Sequence, residues 1–395
     1  MKLLAGPSIF FLCLFSILIA THPYTRIFGL LDLLTAVALA VLAMVYRRRG
    51  TSIEFDQYVW IIPVFLYSVV WLVDCLSRDA GMEVIGTGIN GLRFSIFAAL
   101  FITIRQRFQI SPSALVVSLS LVLFAIFLEL SPFNGLTDAF SNFSGTELYT
   151  SRRLGVNEGF NTATALALMI ASILPLVLPN RLTQPWHFLA TLLVMIFVIA
   201  SFSRGALIIA FLASALTTFA VFRLGIKTIL LVLALLAICV GTLSTLGYFD
   251  IRSFEFGSDS SASLRVRAIQ LVGEMTIVGD KDALNSFNIT DGAIDNFVVR
   301  HVVGAGALSL IFGYMLLLYV IKVLGNWHNY TDMQKRIIVA QIAWVFTIIL
   351  DDTFFSVWGA FLFSLSPIDV RPKPNAIRRR GQRAGRHFGP ERRRF

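Results

Sequence analysis

Charge is scarce in this chain. Only 14% of its 395 residues are Asp, Glu, Lys or Arg, against 56% hydrophobic residues. Soluble domains carry about 25% charged residues, so most of this sequence has no water-facing surface to build, and the composition is that of a polytopic membrane protein. Cysteine is nearly missing too. Cys13, Cys75 and Cys239 fall inside apolar segments without CxxC spacing, which excludes a disulfide framework and a cysteine zinc site. The sequence has one DxD triplet, Asp280-Lys281-Asp282, but no grouping of carboxylates with histidines at metal-ligand spacing, so no metal and no cofactor is expected.

What is present is a series of long apolar runs. At roughly 20 residues per bilayer crossing they predict an all-α integral membrane protein with about twelve transmembrane helices. These cover residues 3–20, 27–46, 58–77, 86–104, 113–130, 160–179, 186–202, 205–222, 227–248, 297–323, 335–350 and 353–369. The first run follows Lys2 and would also suit a signal peptide, but no small-x-small cleavage site follows it. Residues 1–370 then form a single transmembrane domain with polar loops near 131–159 and 249–296. Residues 371–395 form a basic tail, disordered by composition.

The net charge of +10 suggests nucleic acid only until its placement is considered. Ten of the 33 basic residues lie between Arg371 and Arg394, where they set orientation and touch anionic lipid head groups rather than a nucleic acid. Arg47-Arg48-Arg49, Arg105 with Arg107, Arg181, Arg223 with Lys227, and Lys322 with Lys335 and Arg336 share a side with that tail and Lys2. The positive-inside rule makes this side cytoplasmic, with both termini inside and both long loops outside.

Against that pattern the arginines left outside are conspicuous, and Arg204 most of all. From Trp186 to Phe222 it is the only Lys, Arg, Asp or Glu. A charge in the bilayer core costs at least ~2.5–3.5 kcal/mol, so Arg204 belongs at a membrane face. Ser203-Arg204-Gly205 therefore predicts a hinge that splits the run into two spans.

Twelve helices also suit a transporter. Two-half transporters show a repeat and a long middle connection. Here the middle connection, Asn180 to Pro185, is short, no repeat is found, and Arg47 to Asp56 lacks a Gly-x-x-x-Asp-Arg type signature. Transport or flipping of lipid-linked sugars remains the alternative of a different class.

Three stretches resemble the bacterial O-antigen ligase and polysaccharide polymerase family. Arg153-Leu-Gly-Val-Asn157-Glu-Gly-Phe-Asn161-Thr-Ala is similar to its Arg-x-x-Gly followed by an Asn that opens a helix. Ser201-Phe-Ser-Arg204-Gly-Ala is close to its Ser-Arg-Gly at the outer end of a helix. Ser261-Ala-Ser-Leu-Arg265-Val-Arg267, Val278-Gly279-Asp280, Asp295-Asn296 and Gly304-Ala-Gly306 together resemble an external loop that leads into a His-Asn-type helix start.

The resemblance implies a GT-C-like glycosyltransferase of the bacterial inner membrane, acting at the periplasmic face without a metal. It implies an undecaprenyl-pyrophosphate-linked glycan as donor. The acceptor is the next lipid-linked repeat unit for a polymerase, and lipid A-core for a ligase. Membrane lipids, flippase proteins and chain-length regulator proteins are the further partners it implies. In one respect the chain departs from the ligases. Asp295-Asn296 stands where they carry His-Asn, and His301 lies six residues further on. The departure favours a polymerase of exopolysaccharide or O-antigen.

Each candidate residue has a chemical role and a plainer alternative. Arg204 would hold pyrophosphate through paired hydrogen bonds and stabilise charge as the glycosyl C1–O bond breaks; otherwise it snorkels to lipid phosphates. Arg153 and Asn161 flank a helix start suited to an anion, where Asn161 also serves as a simple cap. Arg265 and Arg267 point apart on a helix and share a face on a strand; they bind substrate or lie along lipid head groups. Asp295 is the candidate base for the acceptor hydroxyl, or a cap, and Asp351-Asp352 is a second carboxylate candidate. Arg300 and His301 are glycan or phosphate ligands, or interface residues that snorkel.

Overall fold

The computed structural model describes residues 60–78, 80–107, 167–179, 185–200, 203–222, 267, 270–272, 279–290, 297–350 and 354–365. These residues are almost all helical and include no strand, as an all-α chain requires. Two of the described helices are long and apolar enough to cross a membrane, Met82–Thr103 and Phe297–Gly325.

Helices α1 (Ile61–Ser77) and α2 (Met82–Arg107) pack along each other. Helix α1 is apolar on both sides. Ile61, Val64, Trp71 and Cys75 are buried, while Ile62, Leu66, Val70, Val73 and Leu76 are exposed, both series recurring at helical spacing. The inner face finds its partner in α2 through glycine. A methyl group at Gly88 would stand 2.7 Å from Leu72 Cγ, and one at Gly91 only 2.1 Å from Ser68 Oγ. Small residues of this kind let backbones approach closely where lipid leaves no hydrophobic force to press helices together.

The expected span over 160–179 is broken. Residues 167–172 are helical, a turn follows at Ile173, and Pro175 sits in the short α3 (Leu174–Val177). Proline has no N–H to continue the ladder, and side chains satisfy the carbonyls at this end. Arg336 Nη1 donates to Pro175 O (3.0 Å) and to Leu178 O, while His187 Nδ1 and Thr191 Oγ1 both reach Val177 O at 3.1 Å. Beyond it the long apolar run divides into α4 (Pro185–Ala200) and α5 (Arg204–Thr217), and α5 runs on into a π turn, Thr218–Phe222. The hinge lies where the lone arginine puts it.

Two expectations need correction, and a third gains a kink. The loop near 249–296 contains a helix, α6 (Lys281–Thr290), capped by Asp280, whose Oδ1 accepts from Asp282 N and Ala283 N at 3.0 and 2.9 Å. The span 297–323 is a long helical stretch, Phe297–Gly325, with a kink in its middle. It is α7 (Phe297–Ala305), a 3-10 turn (Gly306–Ser309) and α8 (Leu310–Gly325), because Gly306 takes φ +57° and ends α7 as a left-handed glycine does. The break separates a buried α7 from an α8 whose Leu310, Tyr314, Leu317, Ile321 and Leu324 all face outward. After α9 (Asp332–Leu350), the last expected span, 353–369, holds α10 (Val357–Ser364). Ser356 Oγ caps it by accepting from Gly359 N at 3.1 Å, and its C-cap is Leu365. Eight residues reach about 12 Å, too short for a hydrocarbon core of about 30 Å, and α10 is instead buried against α2. The spans expected at 3–20, 27–46, 113–130 and 227–248, the loop 131–159 and the tail 371–395 lie outside the described residues.

Gly279 ties α6 to α7. Its φ is +82°, and a methyl group there would stand 2.4 Å from Ala305 N. Gly279→Ala is expected to lower the detergent-solubilised protein's melting temperature clearly, since left-handed backbone alone costs about 1–2 kcal/mol and the clash adds to it. Gly86→Ala meets nothing within 4 Å inside α2 and is expected to hold or gain about 0.5–1 kcal/mol. Thermal scans of both variants by size-exclusion fluorescence make the comparison, and equal melting temperatures would contradict the tight seat at Gly279.

Candidate functional site

Helix α7 turns His301 inward. The residue is 1% exposed, and its Nδ1 lies 2.7 Å from Tyr67 Oη of α1. Aromatic rings enclose it, with centroids at 4.0 Å for Phe297, 5.3 Å for Trp71, 5.4 Å for Phe355 and 5.7 Å for Phe312. Its Nε2 is buried and has no hydrogen-bond partner, an omission that costs about 1–3 kcal/mol for a buried polar group. Snorkelling is therefore excluded for His301. Arg300, the preceding residue on α7, is half-buried.

A second cluster also touches Trp71. Asp74 Oδ1 accepts from Arg78 Nε at 2.9 Å, Asp74 Oδ2 pairs with Lys281 Nζ, and Arg78 Nη1 lies 3.8 Å from Asp282 Oδ2. The Lys281 ammonium also sits 4.9 Å from the centroid of the Trp71 ring, a cation–π contact, and the residue is only 3% exposed. Trp71 itself is anchored by Nε1 donating to Val84 O at 2.8 Å. One indole thus meets both a cation and the His301 ring.

The remaining candidates are placed as follows. Arg204 is the first residue of α5. Ser203 before it has extended backbone, its Oγ accepts from Ala206 N at 3.3 Å, and its carbonyl accepts from Leu207 N at 3.1 Å. That cap leaves the helix N-terminus, with its partial positive charge, beginning at Arg204; the Arg204 side chain lies outside the described ones. Arg267 is helical and exposed. Arg153, Asn161, Arg265 and Asp295 lie outside the described residues, as do Asp351 and Asp352. Among the described residues no group of three His, Cys, Asp or Glu is placed to hold a metal ion.

Sequence reasoning passed over Asp74, Lys281 and Arg93. Arg93 is 2% exposed within the candidate span Met82–Thr103, and Asp74 lies in an apolar helix. Both gave the same signal as Arg204, an ionisable group in an apolar run. No protein-family model matches the chain, and no curated protein matches it.

Proposed function

We propose that this chain is an integral membrane glycosyltransferase of the bacterial inner membrane that polymerises lipid-linked oligosaccharide repeat units. In this reading the growing glycan passes from undecaprenyl pyrophosphate to a hydroxyl of the next lipid-linked unit. The bond from C1 to the diphosphate oxygen breaks, the bond from C1 to the acceptor oxygen forms, and Asp295 takes the acceptor proton. The observation that carries the proposal is the position of Arg204, an arginine at the capped N-terminus of α5 in the break between two apolar helices. Helix amides there, in a chain segment that begins with an arginine, favour one kind of ligand, a phosphate-bearing anion.

Two further observations support the membrane setting. The outward faces of α1 and α8 are apolar up to the last turn, where Ser77 and Lys322 are exposed, which suits lipid and not water. Residues assigned to one side by the basic loops also meet in space. Asp74 and Arg78, at the outer end of α1, pair with Lys281 and Asp282 of the second long loop. Arg336, assigned inside, reaches the carbonyls beside the Arg181 connection.

Deletion of the gene followed by sizing of surface glycans tests the reaction. Loss of long chains with single repeats retained is the expected result. Polymer left unattached to lipid A-core would mean a ligase, and precursor trapped in the inner leaflet a flippase. Topology has its own test. Cysteines at Ser144 and Ser260 are expected to react with impermeant thiol reagents in intact spheroplasts, and one at Ala384 is not. Labelling at Ala384 would reverse the orientation.

A further inference from the structure

We propose that α6 is a strap, latched by the Asp74–Lys281 ion pair, that closes over Trp71, one wall of the His301 box, and lifts to open it. The inference does not depend on which reaction the chain catalyses. Three of the contacts that hold the strap down are these. At its start, Asp280 N donates to Val303 O at 2.7 Å and Gly279 lies against the backbone of Gly304 and Ala305. In its middle, Asn285 packs on Gly81, where a methyl group would stand 2.3 Å from its Oδ1. Between these, Lys281 reaches across Trp71 to Asp74.

The apolar part of this seat is small. Among the described side chains, Leu284 and Phe287 are the large buried apolar ones that α6 contributes, fewer than α1 or α2 bring to the interior. An element with so little buried apolar contact opens before the rest of a fold does. Charge does the holding. A buried ammonium that loses its carboxylate is left uncompensated, which is strongly unfavourable, so the strap seats firmly only while Asp74 is ionised and in place. The box that shares Trp71 has reason to open. His301 Nε2 has no partner inside the closed box, and a hydroxyl-bearing ligand admitted from outside would supply one.

Cys75 is a native reporter for this motion. It is fully buried beneath the strap, in one apolar cluster with Leu284 and Phe287. In full-length protein carrying Cys13→Ser and Cys239→Ser, Cys75 is expected to react slowly with a small methanethiosulfonate. Asp74→Asn should raise that rate about tenfold or more below the global melting temperature, because only the latch is lost. The charge-exchanged pair Asp74→Lys with Lys281→Asp should return most of the protection. A second arm guards against misfolding. With Gly81→Cys and Asn285→Cys joined as a disulfide, for which the 3.3 Å from the Gly81 β-position to Asn285 Cγ gives the reach, Cys75 should react more slowly than in the parent. A Cys75 rate unchanged by the disulfide, or one that rises in Asp74→Asn only as the whole protein unfolds, would overturn the strap.

Discussion

Arg204→Lys is expected to lose most polymer longer than one repeat, although the charge is kept. A guanidinium offers a planar fork that binds a phosphate through two parallel hydrogen bonds, whereas an ammonium is a point charge. Hydrogen bonds to charged groups contribute about 1.5–3 kcal/mol each, so losing one of the pair in the transition state should slow transfer roughly 10- to 100-fold. Arg204→Ala should do at least as badly. Neither change touches what starts the helix, because the cap belongs to Ser203, whose Oγ accepts from Ala206 N and whose carbonyl accepts from Leu207 N. Insertion and abundance should therefore stay normal on an immunoblot while the glycan ladder collapses. A fully active Arg204→Ala protein would reduce this residue to a hinge and remove the observation on which the proposed reaction rests.

Where the sequence was legible, one physical signal dominated its surroundings. Helices α1, α2, α4 and α9 begin and end within a few residues of the apolar runs that foretold them, because a long run without charge has few other ways to satisfy its backbone in lipid. The break before Arg204 was legible for the opposite reason, a single charge in an otherwise uncharged stretch. Helix α6 was not, since Leu284 and Phe287 are too few apolar positions to make a periodicity in a segment rich in Asn, Asp and Ser. Nor was the kink at Gly306. Hydropathy continues smoothly through Gly304-Ala-Gly-Ala-Leu, and what ends α7 is a left-handed glycine beside the seat of Gly279.

Of the candidate site, Arg300 and His301 show the limit best. Adjacent residues on a helix point about 100° apart, so a pair read as two interface residues became one half-buried arginine and one enclosed imidazole. The Asp74–Lys281 pair joins residues 207 positions apart, and no local pattern encodes such a contact. Arg93 was legible in principle, as the one cation in a predicted span, and was outweighed by the Ser-Arg-Gly context of Arg204.

Asp295→Asn separates chemistry from capping at the start of α7. Asparagine caps a helix about as well as aspartate, so Phe297–Ala305 should form as before and carry His301 into the same box. What asparagine lacks is a lone pair basic enough to take a proton from an attacking hydroxyl. General-base assistance is typically worth about 10²–10⁴-fold, which a glycan gel resolves easily. The expected result is single repeats without longer polymer, at unchanged protein abundance. An unperturbed carboxylate, with a pKa of about 3.9, is a weak base, so the effect also measures how far the site desolvates Asp295 when substrate is bound. Normal-length polymer from Asp295→Asn would leave this residue a cap, and the proton would then have to pass to Asp351, Asp352 or His301. His301 would be distinguishable from the two carboxylates, because its Nδ1 is engaged with Tyr67 Oη. A Tyr67→Phe change should then alter the pH profile of polymerisation, whereas transfer through Asp351 or Asp352 should leave that profile unmoved.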